Sequence, residues 1–128
     1  MKVGAEKAFE EMLDISTDID KAILFAGDEV LASNFPEEVQ ATMVAKALEL
    51  AGLGEGRAKD MGSQPLTQLV VEGPAGYVFL ARETDERGMV ILATGRRDSR
   101  IGLVLYDMKT CIRDAREAAR DGEEASDR

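Results

Sequence analysis

Histidine and tryptophan are absent from these 128 residues, and cysteine occurs once, at Cys111. Without an imidazole, the chain lacks the side chain that most often moves protons near neutral pH. A single thiol excludes an internal disulfide and any site built from several thiolates. Long apolar runs are missing too, and nothing approaches the roughly 18 uninterrupted apolar residues of a membrane span. The opening Met1-Lys2-Val3-Gly4 leads into an amphipathic pattern and not into the apolar core of a signal peptide. The cytoplasm is the expected location.

Basic residues are also scarce. Sixteen Lys and Arg face 25 Asp and Glu, for a net charge of −9. Phosphate neutralisation needs clustered basic side chains, so a nucleic-acid partner and an anionic membrane surface are both disfavoured. Apolar residues make up 45% of the chain, enough to build a core and too many for wholesale disorder. The length suits one domain, expected over residues 1–120, with 121–128 as a flexible charged tail.

What is present is a rhythm of apolar positions. Ala5, Ala8, Phe9, Met12 and Leu13 recur at helical spacing and predict a first helix over about Val3 to Leu13. Ala22-Ile23-Leu24-Phe25-Ala26 is apolar on both faces, as a strand covered by helices on either side must be. Gly27-Asp28-Glu29 supplies a turn, and Val30 to Ser33 returns as a weaker strand suited to a sheet edge. Pro36-Glu37-Glu38 opens a second helix, because Pro suits the first turn and the acids favour the positive end of the helix dipole. Val39, Met43, Ala47 and Leu50, widened by Val44, Leu48 and Ala51, carry that helix to about Ala51, with Gly52 as its cap. Gly52 to Pro65, rich in Gly and charge, reads as a loop. Leu66 to Glu72, Tyr77 to Arg82 and Met89 to Ala93 follow as strands, the first two joined by the turn Gly73-Pro74-Ala75-Gly76. A third helix begins after Arg100, with Asp98 or Ser99 as candidate cap, and buries Ile101, Val104, Leu105, Met108, Cys111, Ile112 and Ala115.

The two doubly apolar strands belong together in the middle of the sheet. The fold expected is an α/β protein of the α+β type. Its order is helix-strand-strand-helix-strand-strand-strand-helix, and its five-stranded antiparallel sheet carries helices on both faces.

Motifs that could carry chemistry give little. Gly52-Leu53-Gly54-Glu55-Gly56-Arg57 follows a helix and lacks Gly-Lys-Ser/Thr, so it reads as a connector and not as a phosphate cradle. Cys111 has no activating imidazole and falls on a buried stripe, so it reads as core. Asp18, Asp20, Asp28 and Glu29 match no calcium-loop spacing and read as solvated turn carboxylates. Tyr77, Phe79 and Tyr106 read as core or half-buried packing. Arg96, Arg97 and Arg100 precede a helix and form the one clustered basic group, a candidate contact for an anion or an acidic partner against the plainer reading of a solvated turn. No catalytic residue, cofactor site or metal site is expected.

The chain resembles the Roadblock (dynein light chain) family in its small prokaryotic form. The likeness rests on the hairpin from Lys21 to Ser33, on the long second helix, on Met89-Val90-Ile91-Leu92-Ala93, and on Ile101-Gly102-Leu103-Val104 opening the last helix. The resemblance implies a profilin-like fold and a homodimer joined through the second helix and third strand. It also implies a non-enzymatic scaffold that regulates a small Ras-like GTPase in motility, polarity or signalling. On the sequence itself, Leu66 to Val71 holds no Lys or Pro that would block pairing of an edge strand. Gln40, Met43, Val44, Ala47, Leu48, Gln68 and Val70 are the expected seam. The alternative is a small-ligand sensing module, which needs a cavity over the central strands; the apolar density of Ile23, Phe25, Val90 and Leu92 predicts a filled core.

Overall fold

A computed structural model describes residues 2–85 and 87–126. The elements run α1 (Lys2–Ile15), β1 (Ile19–Ala26), β2 (Glu29–Ser33), α2 (Glu37–Asp60), β3 (Gln68–Gly73), β4 (Gly76–Arg82), β5 (Met89–Arg96) and α3 (Ile101–Ser126). The five strands form one sheet in the order β2-β1-β5-β4-β3, every pairing antiparallel. The expected sheet is therefore the observed one. The doubly apolar β1 and β5 sit at its centre, with Ile23 opposite Leu92 and Leu24 opposite Ile91.

Alternation along the central strands divides the core in two. Ala22 and Leu24 of β1, with Met89, Ile91 and Ala93 of β5, point to the face covered by α1 and α3. Ile23 and Phe25, with Val90 and Leu92, point to the face covered by α2. Phe25, Phe79, Ile23 and Leu24 are fully buried, and each such side chain contributes about 1.5–3 kcal/mol by leaving water. Ile23, Phe25, Val90 and Leu92 pack with Val44, Ala47 and Leu80. The space a ligand sensor would need over the central strands is therefore occupied by side chains.

The largest departure from expectation is α2. It continues through the Gly-rich segment to Asp60. Gly52 is inside the helix, and Gly62 takes the terminal role expected of Gly52. Gly62 has φ +74 and its N–H donates to the Lys59 carbonyl, while the Ser63 N–H reaches back to the Ala58 carbonyl at 2.7 Å. This is a Schellman closure. Three helical glycines cost about 1 kcal/mol each in propensity, and contacts made by the same turn offset that cost. At Gly54 the helix comes so near the sheet side that an added Cβ would lie 2.8 Å from Leu66 Cδ2 and 3.3 Å from Leu69 Cδ1. The Glu55 carboxylate accepts the Leu66 N–H at 3.1 Å and an Arg82 guanidinium N–H at 2.6 Å, and Arg82 Nε donates to the Leu66 carbonyl at 2.7 Å. Helix, connector and β4 are thus tied at one point.

α3 also runs further than its apolar stripe, and its backbone is helical through Ser126. The helix continues into the segment read as a tail, and Asp127 and Arg128 lie outside the described residues. Its middle is held to the β4–β5 connection by Glu83, whose carboxylate accepts Arg116 Nη2 at 2.7 Å, Arg116 Nε at 3.1 Å and the Met89 N–H at 2.8 Å. Among the described residues, no helix is long and apolar enough to cross a membrane.

Candidate functional site

β3 lies at one border of the sheet and is hydrogen-bonded to β4 alone among the described strands. Its outward N–H and C=O groups are therefore free to pair. Leu69 packs on the α2 side of the sheet and Val70 on the α1–α3 side, and Val71 is 45% exposed. Leu69 reaches under Gly54, so β3 packs beside the C-terminal half of α2. On the outer face of α2 Leu48 is 49% and Leu53 59% exposed, flanked by exposed Ala41, Ala45 and Gly52. Large apolar side chains beside an unpaired strand are what a second polypeptide would cover.

The residues expected at a seam divide between two faces. Leu48 and Gln68 are exposed. Val44 and Ala47 are buried against the sheet, so they hold α2 in place and do not face outward. Met43 packs half-buried beside them, and Val70 packs half-buried towards α1 and α3. Gln40 uses its amide at the helix start, donating to the Phe35 carbonyl at 3.0 Å. The wide stripe read in the sequence runs past the edge of the buried face. Leu53 and Val71, absent from the expected seam, are on the outer surface, and Leu53 is helical where a loop was expected.

The arginines before α3 have an internal partner. Asp18, 3% exposed, lies at the start of β1. One of its carboxylate oxygens accepts Arg96 Nη2 at 2.6 Å. The other accepts the Arg100 backbone N–H at 2.9 Å and Arg100 Nε at 3.0 Å. Those bonds, first the backbone and then the side-chain bond from Arg100, hold the Asp18 carboxyl down at about 2 from its ordinary 3.8. Asp18 therefore caps α3, where Asp98 or Ser99 was expected. Asp98 instead pairs with Arg96 Nε at 3.3 Å, and Ser99 Oγ donates to the Arg96 carbonyl at 2.5 Å. Arg97 is exposed and alone of the three has no ion pair among the described residues. Asp18 is thus a buried, paired carboxylate and not a solvated one, while Asp20, Asp28 and Glu29 are exposed.

Burial pushes the Cys111 thiol up to about 12, with Asp114 and Glu11 adding to the effect, so it stays a neutral core group. Tyr77 stacks on buried Phe79 with ring centroids 5.5 Å apart. Tyr106, expected in packing, is 63% exposed.

No protein-family model and no curated protein sequence matches the chain. Solved structures do. A Roadblock/LC7 domain from Streptomyces avermitilis superposes with a TM-score of 0.77 at 17% identity, covering 90% of this chain and 97% of that one. The gliding protein MglB from Thermus thermophilus superposes with a TM-score of 0.67 at 20% identity, covering 91% of each. An MglB with a tetrameric arrangement gives 0.69 at 19% identity, covering 89% of each. Similarity at this depth is a statement about architecture, and it agrees with the strand order, the paired helices on one face and the single long helix on the other: this chain has the Roadblock/LC7 fold.

Proposed function

We propose that the chain is a non-enzymatic, dimeric scaffold that binds and regulates a small Ras-like GTPase in the cytoplasm. The observation that carries the reading is the unpaired β3 border together with the exposed Leu48 and Leu53 of α2. Two copies meeting there would extend one sheet into the other and lay the two α2 helices side by side. The fold is shared with a gliding protein and with an MglB that assembles into tetramers, which supports both self-association and a role in motility or polarity.

The mechanism is positional. A rigid composite surface changes a GTPase only through unequal affinity for its nucleotide states. Arg96 and Arg100 are held by Asp18, which supports a docking role over an arginine supplied to phosphate. The net charge of −9 supports a protein partner over nucleic acid or a membrane.

The test pairs the chain with the small Ras-like GTPase encoded nearest its gene, loaded with GDP or with a non-hydrolysable GTP analogue, in a calorimeter. Saturable binding at least about tenfold tighter to one nucleotide state supports the proposal. Equal affinity for both states, or no binding, contradicts it.

A further inference from the structure

We infer that a notch between α1 and α3 receives an arginine side chain from a partner protein, with Asp107 as its floor and Ala8, Met12 and Ile15 as its apolar lining. This surface lies across the sheet from α2, so the inference extends beyond the proposed dimer and does not depend on it.

The two helices run antiparallel, with Gly4 against Ala118 at one end and Ile15 beside Asp107 at the other. Between them Ala8, Met12 and Cys111 form an apolar wall, and Glu11, Asp107, Thr110 and Asp114 supply the polar atoms. Asp107 is only 9% exposed, and its Oδ2 has no hydrogen-bond partner. Folding leaves a buried acceptor unmatched only at a cost, and a ligand donor would remove it. The charges facing Asp107 across the notch are the carboxylates of Glu11 and Asp114. Arg113 leans on Asp114 from the solvent side at 3.3 Å, and Arg100 senses Asp107 only through space. Cys111, with its thiol held neutral, adds no charge. The site is therefore short of a cation.

The chemistry selects which cation. Among the described residues, no three carboxylate or thiol groups stand close enough to hold a metal ion. A guanidinium is wider and planar and can divide its N–H groups between two carboxylates and a hydroxyl, where an ammonium acts as a point charge. The notch has a volume of about 40 Å³, room for one small side-chain head and not for a folded element. Arginine delivered on a protein segment also accounts for the apolar lining. Ile15 is 69% exposed, a large apolar side chain that a segment entering the notch would cover.

The full-length chain would be titrated into a fluorescent, amidated, alanine-based helical peptide carrying one Arg with a Leu one turn away on either side. A matched peptide would carry citrulline, the neutral isostere, in place of Arg. The Arg peptide is expected to bind at least about tenfold tighter than the citrulline peptide. Asp107→Asn should abolish that preference without lowering the melting temperature, because it removes a charge that the free protein leaves unmatched. The paired surface change Glu11→Gln with Asp114→Asn should reduce the preference severalfold in a chain that keeps its core. Ile15→Ala should weaken both peptides alike. Equal binding of the two peptides, the absence of saturable binding, or an Arg preference that survives Asp107→Asn would overturn the inference. So would a fall in the melting temperature of Asp107→Asn, which would mark the carboxylate as structural.

Discussion

The carboxylate of Asp18 accepts both the backbone N–H and the Nε of Arg100, a residue 82 positions further along the chain. The start of β1 thus caps α3, and the same carboxylate takes Arg96 from the end of β5. Asp18→Asn keeps the shape but removes the charge. It is expected to lower the melting temperature by about 5–10 °C at neutral pH, by loss of the charge-assisted bonds to Arg96 and Arg100. Differential scanning calorimetry measures this directly.

The same carboxylate sets a pH dependence. In the folded chain it holds its proton less tightly than in the unfolded chain, at about 2 against an ordinary 3.8. Its contribution is therefore complete above 3.8 and disappears as pH falls from there towards 2. Glu83 acts in the same direction, because its bond to Arg116 holds its carboxyl below the usual value. The melting-temperature gap between the natural chain and Asp18→Asn should be constant from neutral pH to about pH 5 and close below about pH 4. A gap that widens on acidification would contradict this assignment.

Glu55 is expected to decide whether the glycine-rich half of α2 stays helical. Glu55→Ala leaves the Leu66 N–H and the Arg82 guanidinium without their acceptor. Stability should fall by about 1–2 kcal/mol. Amide hydrogen exchange should quicken between Gly52 and Asp60 while the amides of Val39 to Ala47 keep their protection.

The three helical glycines should respond differently to alanine. Nothing lies within 4 Å of a Cβ built at Gly52 or Gly56, so Gly52→Ala and Gly56→Ala should each gain about 0.5–1 kcal/mol from helix propensity. At Gly54 the new methyl meets Leu66 and Leu69, and displacing them cancels the propensity gain. Gly54→Ala should be neutral or destabilising, and Gly54→Val clearly destabilising. Denaturant midpoints rank the four.

These cases also explain what can be read from the chain. Ala22 to Ala26 and Met89 to Ala93 declare themselves as central strands, because apolar residues on both faces have one common explanation. The whole strand order follows from placing them together. The end of α2 is hidden, because Gly52, Gly54 and Gly56 carry the composition of a loop. What keeps them helical is tertiary: Leu66 beneath Gly54, and the Glu55 carboxylate bound to a distant strand. The Asp18 cap is hidden for the same reason, since a cap is sought next to its helix and this one arrives from the other end of the chain. The faces of α2 are half legible. The apolar stripe of α2 is wide enough that phase alone assigns Val44 and Leu48 to one face, whereas packing buries the first and exposes the second.

Self-association decides most directly between a docking scaffold and a solitary domain. Sedimentation velocity at micromolar concentration should show a particle of twice the 13.9 kDa chain mass. Leu53→Glu with Val71→Lys, placing charge on the outer face of α2 and on the β3 border, should return it to one chain mass with unchanged helical signal. A natural chain that sediments as a monomer, or a dimer indifferent to both substitutions, would contradict the proposed seam.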